Sequence, residues 1–122
     1  PWPYSPLCDD IARITAGAYR HRDITQLDAS SYVVDMLEIV LWALYTYDDF
    51  GSGLSALSSA GGFTTTSCTI YGALAGALYG DTAIPVQWCA SLVQRDKIEW
   101  FAEELLRVAW PTIKDTLHPA VD

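Results

Sequence analysis

The sequence is poor in basic residues. Lys and Arg number 7 against 15 Asp and Glu, so the 122 residues carry a formal charge of −8. No run of Lys or Arg occurs, and Arg20 and Arg22 around His21 come nearest to one. Nucleic acid and anionic membrane surfaces both need a basic face, so neither is expected as a partner. Cysteine is also scarce. Cys8, Cys68 and Cys89 are odd in number and lack C-x-x-C spacing, which argues against a disulfide framework and against a zinc or redox pair. Cys68 and Cys89 stand in apolar helical surroundings, where cysteine acts as a small hydrophobe. A reducing, cytoplasmic setting is expected, and no signal peptide is evident at Pro1. The longest apolar run, residues 70–79, falls short of the ~20 residues that a membrane helix needs. Strand-like alternation, internal repeats and low-complexity tracts are missing as well.

What is present is apolar and helical. Hydrophobic residues make up 51% of the chain and charged ones 18%, enough for one modest core and too little charge for disorder. The pattern predicts a single all-α domain over residues 1–122, a compact bundle of about six helices. Residues 1–6, PWPYSP, read as an extended lead-in. The first helix is expected over 7–19, with Asp9 and Asp10 in its first turn. A polar loop follows. Ser30 or Ser31 is the expected cap of a second helix over 32–47, which is apolar nearly all round and therefore central. Its Asp35 and Glu38 form either a single wet stripe or a paired-carboxylate site, and the wet stripe is preferred. Asp48 or Asp49 caps a short third helix to Ser59, a cheaper reading of the acidic pair than metal binding. A fifth helix over 85–92 should turn Val86, Cys89 and Leu92 inward. The sixth, over 96–109, carries Ile98, Phe101, Leu105 and Val108 on one face. Glu99 with Glu103, and Glu103 with Arg107, line its wet side. Trp110-Pro111 should end that helix, and residues 115–122 read as a frayed tail.

Between the third and fifth helices lies the stretch that organises the chain, residues 61–80, GGFTTTSCTIYGALAGALYG. A glycine pair and three threonines feed a fourth helix expected over 66–79. Gly72, Gly76 and Gly80 lie on one stripe and predict close approach of a neighbouring helix. Gly80 is the expected stop. Unpaired N–H groups and the helix dipole converge at such an N-terminus, so Gly61, Gly62, Thr64, Thr65 and Thr66 are the candidate ligand-binding residues. The corner offers hydroxyls and Phe63 but no carboxylate.

This stretch resembles the C-terminal signature of the ADP-ribosylglycohydrolases, which runs Gly-Gly-Asp-x-Asp-Thr, then small residues, then Gly-Ala-x-x-Gly-Ala-x-x-Gly. SYVVDMLEIVLWAL with DDF before it, and AIPVQW after it, are similar to the family's flanking segments. The resemblance covers roughly residues 16–106. It implies an all-α fold and hydrolysis of an ADP-ribosyl bond with a pair of magnesium ions. Two departures alter that expectation. The two aspartates of the family motif, which help hold the metals, are Phe63 and Thr65 here, and only Thr66 keeps a motif position. The other metal ligands lie in an N-terminal Thr-Asp-Asp and an early Gly-Asp segment, which have no counterpart in this chain. Asp9-Asp10 and Asp48-Asp49 do not follow a threonine.

Two function classes follow. The first is a non-catalytic relative with no catalytic residue, no metal and no cofactor, acting as a binding or self-associating module. Its partner would be a second copy or another protein, with a nucleotide or ADP-ribose at the glycine corner as the small-molecule alternative. The second is a hydrolase, either one part of a split enzyme with magnesium or an enzyme of altered chemistry. Its candidate groups are His21, Asp35, Glu38, Asp49 and Cys68, whose thiol a helix N-terminus can acidify. An inert, buried Cys68 is the simpler expectation.

Overall fold

A computed structural model describes residues 8–27, 32–62 and 64–117. Every regular element among them is helical: α1 (Asp9–Thr15), α2 (Val33–Thr46), α3 (Phe50–Ser59), α4 (Thr64–Tyr79), α5 (Val86–Ser91) and α6 (Arg95–Leu117), with three short 3-10 turns. The all-α expectation holds. The chain divides into two compact units, one to Pro85 and one from Val86.

The first unit is built on α2, α3 and α4, which pack against one another. Its core is Val34, Ile39, Val40, Trp42 and Ala43 of α2, Phe50 and Leu57 of α3, and Tyr71 and Ala75 of α4, joined by Ile14 of α1. The spacing of Phe50, Gly53 and Leu57, and of Ser67, Tyr71 and Ala75, gives each helix one buried stripe. Asp49 starts α3 by accepting a hydrogen bond from the Ser52 amide at 2.7 Å. That choice between Asp48 and Asp49 had been open in the sequence.

Several boundaries differ from expectation. α1 stops at Thr15 because Gly17 turns left-handed (φ 79°), and the chain continues as a 3-10 turn, Ala18–His21. The expected polar loop holds a second turn, Ile24–Gln26. It is closed by a reciprocal cap, with the Thr25 amide donating to Asp23 and the Asp23 amide to Gln26, each at 2.9 Å. Tyr32 stands directly before α2, while Ser30, Ser31, Leu7 and the lead-in 1–6 lie outside the described residues, as do residues 118–122 of the expected tail. α4 begins two residues before the expected Thr66.

The glycine stripe is the main correction. A Cβ added at Gly72, Gly76 or Gly80 would meet no atom within 4 Å, so no helix packs tightly there. The close approach is at Gly53, where an added Cβ would fall on the phenol of Tyr71. Tyr71 is fully buried, T-shaped against Phe50 at 6.0 Å, and donates to the Asp49 carbonyl at 3.3 Å. Helix α4 thus buries Tyr71 between Ser67 and Ala75, while Gly72 and Gly76 lie off that stripe. Gly80 keeps its predicted role, ending α4 at φ 81°.

The second unit contains α5 and α6. α6 runs through Pro111 to Leu117 instead of stopping at Trp110. The ring removes one amide donor and frees the Arg107 carbonyl, but residue 107 is exposed and water can serve that oxygen. Val86 and Leu92 of the fifth segment, expected inside, are exposed, and Cys89 is half-buried. The charged side pairs Arg95 with Glu99 at 2.6 Å and Arg107 with Glu104 at 2.7 Å, so the partner of Arg107 is Glu104 and not Glu103. No helix among the described residues is long and apolar enough to cross a membrane.

Candidate functional site

The predicted corner forms at the start of α4. Gly61 and Gly62 both take positive φ, 80° and 71°, a conformation L side chains rarely adopt, which is why a glycine pair precedes the helix. A Cβ at Gly61 would meet nothing, so its requirement is conformational and not steric. Thr64, Thr65 and Thr66 occupy the first turn, Thr64 half-buried and the other two exposed. The Thr64 hydroxyl donates to the Gly62 carbonyl at 3.2 Å, and the Thr65 carbonyl accepts from Thr69 at 2.8 Å. The structure therefore brings all five predicted residues into one exposed corner. Phe63 lies outside the described residues.

The other candidates are dispersed. Glu38 corrects the wet-stripe expectation, since its side chain is 3% exposed. Arg13 approaches it at 3.2 Å and Arg22 at 3.5 Å, and Asp10 lies 3.9 Å from Arg13. That cluster, with the Trp42 indole donating to the Arg22 carbonyl at 3.0 Å, fastens α1 and the following turns to α2. It is a structural bridge, in which Glu38 Oε1 lies within ion-pair distance of Arg22 but accepts no hydrogen bond. Asp35 is half-buried on the same helix. His21 is exposed at the end of its 3-10 turn. Burial pushes the Cys68 thiol above its ordinary range, the opposite of the acidification a nucleophile needs. The Asp49 carboxyl is held below its usual range by hydrogen bonds from the Ser52 hydroxyl and amide, as expected of a cap.

The donors at this corner are neutral hydroxyls and main-chain groups. Magnesium prefers an octahedron of hard oxygens with carboxylates carrying charge, and the corner supplies neutral hydroxyls. Among the described residues no group of three or more His, Cys, Asp or Glu could hold a metal.

Comparison with known proteins decides the ancestry of this corner. The family model described as ADP-ribosylglycohydrolase matches residues 3–113. The chain belongs to the ADP-ribosylglycohydrolase family. Among curated relatives, it is 34% identical to the ADP-ribosylarginine hydrolase Tri1 of Serratia proteamaculans over 104 residues, which is 85% of this chain and 28% of that protein. It is 33% identical to Tri1 of Pseudomonas putida over 92 residues, 75% of this chain and 25% of the relative. The ADP-ribosyl-[dinitrogen reductase] glycohydrolase of Rhodospirillum rubrum matches at 35% over 78 residues, 61% and 26% of the two chains. The chain thus spans about a quarter of the length of these glycohydrolases.

Sequence reasoning missed two arrangements. One is the Arg13–Glu38–Arg22 bridge, whose members are distant in sequence and leave no local pattern. The other is a cleft of about 390 Å³ lined by Ile24, Thr25, Tyr47, Ala56, Ser59 and Ala60. Its lining comes from three separate segments, and its last residue abuts the glycine pair.

Proposed function

We propose that this chain is a non-catalytic member of the ADP-ribosylglycohydrolase family, a helical scaffold that acts by association and not by hydrolysis. The observation carrying the reading is the donor set at the start of α4. Phe63 and Thr65 stand where the family resemblance implies carboxylates, leaving hydroxyls of Thr64, Thr65 and Thr66. Thr66 is the one retained motif position, and a lone hydroxyl holds no dication. No catalytic residue, metal or cofactor is assigned on this reading, and magnesium enters only if the family activity survives. Any small molecule at Gly61, Gly62, Thr64, Thr65 and Thr66 would be a weakly held nucleotide or ADP-ribose, bound through main-chain N–H groups.

The partner is a second copy of the chain or another protein in the cytoplasm. α6 supports association, because Ile98, Phe101, Leu105, Val108 and Trp110 are all at least half exposed. Apolar surface of that extent favours cover by another polypeptide. Sedimentation should show concentration-dependent assembly, and a strict monomer at high concentration would overturn the self-associating form. Titration calorimetry with magnesium should show no tight binding. Micromolar binding that also raises thermal stability would refute the metal-free reading.

A second reading has its own support. The chain matches only about a quarter of relatives whose names are hydrolases. It could supply one part of a split enzyme whose remaining ligands come from another polypeptide. Release of ADP-ribose from ADP-ribosylarginine by the chain alone with magnesium would displace the first reading outright.

A further inference from the structure

We infer that Arg20 and Asp48 of this chain pair with Asp48 and Arg20 of a second copy across a two-fold axis, beside the exposed ring of Tyr45. This surface lies wholly within the first unit. The pairing rests on the associating character proposed above and involves no residue of α6.

Arg20 is held ready for a carboxylate that its own chain does not supply. The left-handed turn at Gly17 lets the side chain lie close, since an added Cβ there would sit 3.3 Å from Arg20 Nε. The guanidinium carbon lies 5.7 Å from the Tyr19 ring centroid and 5.4 Å from that of Tyr45. The two rings meet edge-on at 6.2 Å. Contact with aromatic rings uses the faces of a guanidinium and leaves its N–H edges to donate. Arg13, Arg22, Arg95 and Arg107 each have a carboxylate within ion-pair distance, whereas Arg20 has none among the described residues. A side chain already fixed by two rings loses less rotamer freedom on binding. Arg and Tyr are also the residue types that most often anchor interfaces.

The matching carboxylate stands at the same end of α2. Asp48 follows Tyr45 by three residues, is exposed, and has no hydrogen-bond or ion-pair partner among the described residues. Its neighbour Asp49 is committed to the Ser52 amide, so Asp48 is the member of the acidic pair left over. Within one chain Arg20 and Asp48 make no ion pair. A patch that carries both unpaired signs is self-complementary, and a two-fold related copy satisfies both at once. An acidic segment of another protein would serve Arg20 but set Asp48 against like charge. Tyr45, 57% exposed, adds a ring for the contact to cover. The charge of −8 on each copy opposes approach, but physiological salt screens that repulsion over about 8 Å, while the two pairs act in contact.

Sedimentation equilibrium of the full chain at roughly physiological salt tests this with two charge reversals at exposed positions. Arg20→Glu and Asp48→Lys should each weaken the homodimer by about tenfold or more, since each sets like charges opposite one another twice. Circular dichroism should show unchanged helix content in both. An equimolar mixture of the two variants should dimerise to within about threefold of the wild-type affinity, because opposite charges then face each other at both contacts. Pairing inside one chain would gain nothing from mixing, so a mixture no stronger than its components overturns the proposal. A wild-type dimer that Leu105→Ala disperses and Arg20→Glu leaves intact also overturns it, while association itself stands. A wild-type chain that stays monomeric removes both the pairing and the self-associating function on which it rests.

Discussion

In α3, Leu57 is 1% exposed, whereas in α6 Leu105 and Val108 are each 70% exposed. Both helices carry apolar residues at helical spacing, and the sequence pattern of α6 is the cleaner of the two. The difference lies in what each stripe meets. Phe50, Gly53 and Leu57 face α2 and α4, while α6 turns its stripe to solvent. Periodicity marks a stripe that suits burial but says nothing of what covers it. The glycines repeat the lesson. Gly53, an isolated glycine within α3, is sterically required by Tyr71, while the ordered series Gly72, Gly76 and Gly80 faces open space.

The glycine comparison gives the largest expected effect. Gly53→Ala places a methyl on the Tyr71 phenol, which is enclosed on every side, and should cost at least ~3 kcal/mol or prevent folding of the first unit. Gly76→Ala should instead stabilise by up to ~1 kcal/mol, since only helix propensity changes. Urea denaturation of both variants checks the pair, and equal costs would remove the distinction. Next, Leu57→Ala should lose about 3 kcal/mol through the cavity it leaves, whereas Leu105→Ala should stay within ~0.5 kcal/mol in the isolated chain. A larger loss at Leu105 that grows with protein concentration would show α6 buried in an assembly.

Glu38→Gln tests the bridge that holds α1 to α2. Removing the buried carboxylate leaves Arg13 and Arg22 without their shared partner and should cost about 2 kcal/mol. That is less than for a wholly buried pair, because both arginines are a third exposed. Arg13→Ala at the rim should cost less, measured by the same denaturation. The smallest effects are in pH dependence. Burial first of all pushes the Tyr71 phenol up to about 12. A folded value above the unfolded one of ~10 means stability is intact below pH 10 and falls as pH rises toward 12. Asp49 runs the other way, since its depressed carboxyl contributes above the ordinary range and loses that contribution as pH falls through its folded value. Tyrosine absorbance against pH should show a late-ionising component that Tyr71→Phe diminishes, with the Tyr32 phenol raised as well.

The local geometry of the α3 and α4 starts was legible because its requirements are local. Gly61 and Gly62 announce positive φ, Asp49 a cap, and Thr64, Thr65 and Thr66 a first helical turn. The family motif then assigns that corner a history. The cleft at Thr25, Tyr47 and Ser59 was not legible, since its parts come from three segments. The role of Glu38 was misread because its two arginines precede α2 in the chain and are not spaced along it. The helix through Pro111 escaped notice because proline weakens a helix without forbidding it where the freed carbonyl is exposed.

By itself, the sequence determined an all-α chain of the ADP-ribosylglycohydrolase family with a glycine pair and three threonines at the start of α4. Those properties follow from helical periodicity, from glycine conformation and from the identity of a few residues. Tertiary structure alone decided that Gly53 and not Gly76 is the close contact, and that Glu38 is buried among arginines. Each of these depends on which surfaces meet in space, and one helix carries no record of the other side of its contact.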